Sequence, residues 1–321
     1  VARILITGAH GFIGRHLALH LSQSGHAVCG LGHGIWPQTE AAAWGVSQWI
    51  NGDIVSSNLR SLQHGTGTPD RVFHLAGGSS VGAAVANPRE DFFRTVATTA
   101  ELLEWLRIDA PQTRLVAVSS AAVYGAGHAG RIPENATLNP FSPYGHHKRV
   151  MEELCRSYAA SYGQQVLIAR LFSVYGAGLK KQLLWDVSSR LASARAAGAL
   201  VETLPLGGGG DELRDWTEVR DVVRALALLA PRASTSVEVV NIGTGIGSTV
   251  RDVVSRLLAH ATAGRQSPAL QFSGQSRPGD PFALVAEASR LNSFGFEWRI
   301  GLDQGLQNYS KWFGEQATSI A

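Results

Sequence analysis

The sequence predicts an α/β protein organised on a doubly wound parallel sheet, and two observations carry that prediction. The first is the opening stretch, Ile4-Leu5-Ile6-Thr7 followed by glycines at 8, 11 and 14 and then Leu17 and Leu21 at helical spacing. A short apolar strand there turns sharply into an amphipathic helix. The absent side chains at Gly8 and Gly11 let the backbone approach a pyrophosphate, and Gly14 lets the helix pack close on the sheet. The unpaired N–H groups of the helix start favour a negative charge. Gly8, Gly11, Phe12, Ile13 and Gly14 are therefore candidates to hold a dinucleotide, with a nicotinamide dinucleotide expected. The second observation is a regular alternation of strand and helix, which implies right-handed βαβ units with ligands at the carboxyl ends of the strands.

The elements follow in order. Ala27–Leu31 reads as the second strand, ending in Gly30-Leu31-Gly32-His33-Gly34. An acid at that end normally accepts the ribose hydroxyls of NAD, and here Gly32 stands in its place. Two readings stand: Arg15 and His33 face a 2′-phosphate, which would favour NADP, or neither touches the cofactor. Asp53 and Ile54 follow a third short strand, where Asp53 either meets the adenine or is a plain turn residue. Arg71–Ala76 is the fourth strand; Leu75, Ala76 and Gly77 lead into a small-residue turn, Gly77-Gly78-Ser79-Ser80, beside the nicotinamide. A helix from about Asp91 to Leu106 returns the chain to a fifth strand, Leu115–Ser120.

Composition narrows the classes. The chain has 321 residues, 45% of them hydrophobic, room for one large domain or two unequal ones. No apolar run is long enough to span a membrane, and no signal-peptide pattern precedes the first strand, so the expectation is a cytoplasmic protein with no membrane partner. A net charge of +3 without a Lys/Arg run gives no footprint for nucleic acid, though it suits a small anionic substrate. Cys29 and Cys155 form no CxxC pair and read as reduced packing residues. His16 and His20 lie four apart but lack the Glu and third ligand of a zinc motif, so no metal is expected.

The chemistry is expected after the fifth strand. Ser120 ends that strand, and Ser142-Pro143-Tyr144-Gly145-His146-His147-Lys148 opens an amphipathic helix, with Ser142 as N-cap and Pro143 in the first turn. Tyr144 and Lys148 share a helix face. An ammonium beside a phenol favours the phenolate and brings it toward the working pH, and Ser120 can bond the same substrate oxygen. Together the three can move a proton on or off a carbinol while hydride passes to or from a nicotinamide.

At these residues the chain resembles the extended short-chain dehydrogenase/reductases, specifically the epimerase/dehydratase branch acting on nucleotide sugars. The resemblance runs over nearly the whole chain, through His74-Leu75-Ala76-Gly77, Arg170-Leu171-Phe172-Ser173-Val174-Tyr175-Gly176, Arg214-Asp215-Trp216, Asn241-Ile242-Gly243 and Arg277-Pro278-Gly279-Asp280. From His74 to Pro88 it looks most like UDP-galactose 4-epimerases. The resemblance implies a Rossmann-type domain (residues 1–172 plus about 215–245) and a smaller α/β C-terminal substrate domain (about 173–214 plus 246–321). It implies that Arg214 and Arg277 bind the diphosphate of a nucleotide sugar, and a homodimer formed through helices near 91–107 and 146–162. Lys180 and Lys181 either add to that diphosphate site or are a solvated helix start.

Departures from the family pattern sharpen the reading. Dehydratases carry an Asp-Glu pair where this chain has Ala121 and Ala122, and decarboxylases usually keep the Glu; alanine transfers no proton, so both reactions are disfavoured. Ser173 replaces an Asn that binds substrate phosphate in many members, Thr95 an Asn near the nicotinamide, and Ser79 a Lys that some 4-epimerases use. Three readings remain: a 4-epimerase holding NAD, an NADPH-dependent 4-keto-6-deoxy-sugar reductase, and a binding or scaffold relative without activity.

Overall fold

The computed structural model describes residues 1–262, 266–275 and 281–318. Its strands are β1 (Arg3–Thr7), β2 (Ala27–Gly32), β3 (Gln48–Asn51), β4 (Arg71–His74), β5 (Arg114–Ser120), β6 (Arg131–Ile132), β7 (Val166–Leu171) and β8 (Ser173–Tyr175), followed by β9 (Thr203–Leu206), β10 (Leu213–Glu218), β11 (Glu238–Ile242), β12 (Gly247–Thr249), β13 (Ala269–Phe272) and β14 (Ala283–Ala286). Seven form one sheet in the order β11-β7-β5-β4-β1-β2-β3, with every pairing parallel. The order reverses between β1 and β4, the crevice where doubly wound folds bind ligands. A second, mixed sheet runs β12-β10-β14-β6 with β8 also on β10, and β13 pairs with β9.

Alternation along the central strands explains the layering. Ile4 and Ile6 pack with Phe73, Val116 and Leu167 against Leu17 and Leu21 on one face. Leu5 packs with Val72, Leu115 and Ile168 against Leu102, Trp105 and Met151 on the other. Burying both faces this way requires nearly continuous apolar strands, which β1, β5 and β7 supply. Both cysteines are free and buried. The smaller sheet rests on a separate core containing Leu184, Val187, Leu204, Val253, Leu257, Leu306 and Tyr309.

The predicted elements appear with shifted ends. β4 stops at His74, two residues short of the expected Ala76, because the chain there leaves the ladder to cross the top of the sheet. The helix expected from Asp91 begins at Pro88, capped by the Asn87 side chain, and runs through a π turn at Phe93–Ala97 to Asp109. No helix among the described residues is long and apolar enough to cross a membrane.

Buried polar groups join the layers. The Glu152 carboxylate, on the helix Pro143–Tyr162, accepts two bonds from Arg170 of β7 (2.9 and 2.7 Å) and one from Ser119 of β5 (2.6 Å). Arg170 also donates to the Tyr124 hydroxyl and to the Glu134 carbonyl, and Tyr124 donates to Asn241 of β11. Asp215, fully buried on β10, accepts from the backbone of Thr244, Gly245 and Ala286 and from the Thr244 hydroxyl, tying β10 to β14 and to the turn after β11. Removing one partner of a buried pair leaves the other charge uncompensated, at about 3–5 kcal/mol. Arg170→Met is expected to lower unfolding free energy by about that amount, read by urea denaturation; a loss below about 1 kcal/mol would show that Glu152 is adequately held by Ser119 and Arg156.

Candidate active site

A single cleft of about 1830 Å³ runs across the carboxyl ends of β1, β2, β4 and β5 and on between the two large sheets. Its first arm is the glycine turn. Gly8 has φ +77°, and a Cβ on it would lie 2.9 Å from the Ala76 nitrogen; one on Gly14 would lie 2.2 Å from the Gly8 carbonyl oxygen. These two glycines let the turn fold onto the sheet. Gly11 is the N-cap of the helix Phe12–Gln23, with no side-chain cap bond and no acid in the first turn. The helix start thus offers free N–H groups to an anion, which suits a dinucleotide pyrophosphate. Gly8, Gly11, Phe12, Ile13, Gly14, Asp53, Ile54, Leu75, Ala76 and Gly77 all line this arm.

Arg15 and His33, the two candidates at the ribose end, are placed differently. Arg15 points away from the cleft: it donates twice to the His10 carbonyl (3.2 and 2.9 Å), sits over the rings of Trp36 and Trp44, and lies 3.8 Å from Glu40. His33 does line the cleft but is paired with Asp53 at 2.9 Å, both side chains being about three-quarters exposed. Gly32 has φ +153°, and a Cβ there would meet the Gly8 backbone at 3.2 Å. An acid at the strand-two position would be strained by this backbone angle and would crowd the glycine turn.

The chemical end sits above β5. Ser142 caps the helix Pro143–Tyr162 by accepting from the Gly145 N–H, which sets Tyr144 in the first turn and the buried Lys148 one turn on. Ser120, Tyr144 and Lys148 all line the cleft. A side-chain bond from Ser120 lowers the Tyr144 pKa, but burial outweighs it and the negative charge of Asp91 adds to the rise. The expected lowering of Tyr144 by Lys148 is not found. The ammonium donates instead to the Val118 carbonyl at 2.9 Å. Burial brings Lys148 down to about 8, with Asp91 and Glu152 opposing the fall. His74, wholly buried between Thr7 and Thr99, is held neutral at about 3 by desolvation. Thr99 gives its hydrogen to the Thr95 carbonyl and so accepts from His74 Nε2, leaving Nδ1 to accept from Thr7.

The remaining candidates divide. Ser79, Ser173, Lys181 and Arg214 line the cleft. Lys181 stands at the start of the helix Gln182–Ala196, with its pKa lowered by partial desolvation. Lys180 is exposed and outside the cleft lining. Thr95 is buried behind the turn, where its hydroxyl accepts from the Gly78 N–H at 2.8 Å. Arg277 lies outside the described residues. His16, set aside as a packing residue, donates to the Ala177 carbonyl at 2.7 Å and so joins the first helix to the loop leading to Lys181.

Sequence reasoning missed the far wall, where Trp216, Phe282, Leu206, Gly207 and Gly208 complete the cleft. Glu212 shapes it by accepting from the Gly209 and Gly210 N–H groups; its signal was an acid two residues after a run of glycines. It also missed Asp91, a buried carboxylate under Gly78, whose signal was an acid in a capped first turn.

Comparison with known proteins agrees with this arrangement. The chain is 32% identical to the UDP-glucose 4-epimerase of Azospirillum brasilense, over 90% of this chain and 85% of that one. It superposes on the UDP-glucose 4-epimerase of Thermotoga maritima, solved with UDP-glucose, with a TM-score of 0.84 at 26% identity, covering 98% and 99% of the two chains. It superposes on MoeE5, solved with UDP-glucuronic acid and NAD, with a TM-score of 0.83 at 33% identity and the same coverage. Residues 4–243 match the profile of the NAD dependent epimerase/dehydratase family, and with the cleft and its Ser-Tyr-Lys set they show that the chain belongs to that family.

Proposed function

We propose that the protein interconverts UDP-hexoses epimeric at C4, with Tyr144 as the acid/base. The observation that carries the reading is the continuity of the cleft, which joins the glycine turn, the Ser120–Tyr144–Lys148 set and the Lys181–Arg214–Trp216 wall. The UDP-sugars bound by structural neighbours support the substrate class. Ala121 and Ala122 lie in the single turn after Ser120, so no carboxylate stands there for elimination of water.

The dinucleotide, when bound, supplies the acceptor and donor of hydride. The chain's own residues handle protons and position. Tyr144 Oη removes the proton of the C4 hydroxyl while Ser120 holds the same oxygen, leaving a 4-keto sugar. After the sugar turns in the cleft, Tyr144 returns the proton to the oxygen of the inverted carbinol. No cofactor is consumed. Lys148, bonded to Val118, presents a fixed positive charge below the phenol. Arg214 and Lys181 hold the diphosphate, for which a guanidinium fork is well shaped. The helices Thr98–Asp109 and Pro143–Tyr162 carry exposed Ile108, Val150 and Tyr162, which supports a homodimer through this face; a monomer in sedimentation equilibrium would remove that part of the reading.

Tyr144→Phe is expected to lower turnover of UDP-galactose by about 10²–10⁴-fold with NAD affinity unchanged; retention of more than about a tenth of the rate would refute the assignment. Gly32→Asp is expected to weaken NAD and NADP alike by calorimetry, because a side chain at this φ is strained and crowds the glycine turn. Selective loss of NADP alone would mean that the turn tolerates the acid.

A further inference from the structure

Two consecutive glycines at the nicotinamide end of the cleft are flanked by opposite charges. A Cβ on Gly77 would lie 3.3 Å from Lys148 Nζ, and one on Gly78 would lie 1.8 Å from Asp91 Oδ1. The second distance excludes any side chain at Gly78 while the carboxylate keeps its place. Asp91 is 5% exposed, and its Oδ2 accepts from His147 Nδ1 at 2.6 Å. The His147 ring is itself set edge-on to Phe92. His147 is the residue before Lys148, so the helix that carries the ammonium also carries the clamp on the carboxylate.

We propose that Asp91, oriented by His147, is a positioning residue that keeps the Lys148 ammonium charged beneath Tyr144. The groups facing Lys148 single out this carboxylate. From its own helix come Tyr144, Glu152 and Cys155; from β5, the Val118 carbonyl; from β4, His74, which is neutral; from the helix Pro88–Phe92, Asp91. Glu152 is already matched by the Arg170 fork and by Arg156 at 3.4 Å. The thiol of Cys155 is pushed up to about 12 and bears no charge at neutral pH. Of the two carboxylates that oppose the desolvation of the ammonium, Asp91 is the larger contributor and, among the described ion pairs, the one with no guanidinium on it, only an imidazole. Removing a negative neighbour lowers an amine pKa, so without Asp91 the ammonium loses its proton at lower pH.

The chain has four lysines, at 148, 180, 181 and 311, so lysine labelled with ¹³C at Cε gives four resolvable titrations in the NAD-loaded protein. The signal absent from Lys148→Met is that of Lys148. In Asp91→Asn its midpoint is expected to fall by about one unit, the size of one charge acting across a partly desolvated site. Asp91→Ser, smaller and neutral, gives the same reading where the amide does not fold. Glu153→Gln, which removes a charge from the exposed side of the same helix, is expected to leave the midpoint in place. An unmoved Lys148 midpoint in a folded Asp91 variant overturns the proposal, even if the variant melts earlier. The kinetic counterpart rests on the proposed activity: the alkaline limb of UDP-galactose turnover should fall by the same shift. If no UDP-hexose is turned over, that activity fails while the titration still decides the role of Asp91.

Discussion

The buried contact between Glu152 and Arg170 is the constraint on which the active site depends. It fixes the helix carrying Tyr144 and Lys148 against β5 and β7, the strands whose ends form the floor of the cleft. Through Tyr124 and Asn241 the same guanidinium reaches β11, and through the Glu134 carbonyl the segment leading to the second sheet. Apolar packing alone would hold the helix on the sheet but would leave its rotation and slide loosely set. A bidentate ion pair sets both, because its geometry tolerates little displacement. The role proposed for Tyr144 needs that precision, since small misplacements cost orders of magnitude in rate.

Charge at the site is arranged in two tiers around Lys148. In the deeper tier Glu152 is matched by Arg170 and Arg156 and serves architecture. The upper tier, Asp91 with His147, lies beside the glycine pair at the cleft. Tyr144 is raised by burial, and the negative charge of Asp91 adds to the rise. Neither Lys148 nor Tyr144 is tuned by the other in the simple way that their four-residue spacing suggests.

Local patterns were legible in the sequence, and pairings across long separations were not. The glycine turn, the Ser142 cap, the strand ending at Ser120 and the Tyr144/Lys148 face each follow from neighbours within a few residues. The surroundings of Arg15 were not legible, because Trp36, Trp44 and Glu40, which hold it, are brought to it only by the fold. Asp215 was legible as part of a motif, yet its four acceptor contacts come from segments about 30 and 70 residues away. The π turn at Phe93–Ala97 has no periodic signature, since one extra residue in a helix leaves the apolar spacing almost unchanged.

The position of β11 governs how the molecule can be made. The seven-stranded sheet begins with the third residue, yet its last strand, Glu238–Ile242, is synthesised only after the chain has left β7, traversed the smaller sheet and come back. Until it arrives, β7 is an outer strand whose six residues are all destined for burial. Such an uncovered apolar edge is a template for pairing with other nascent chains. While the ribosome is still adding residues 172–237, the growing chain therefore carries an adhesive edge one strand from the end of the future sheet. Early formation of the helix Pro143–Tyr162 shields one face of that strand but cannot occupy its free hydrogen-bonding edge. Completion of the seven-stranded sheet thus waits on the segment that builds β8 to β10, and a chain interrupted there is more prone to aggregate than one that stops after Ile242.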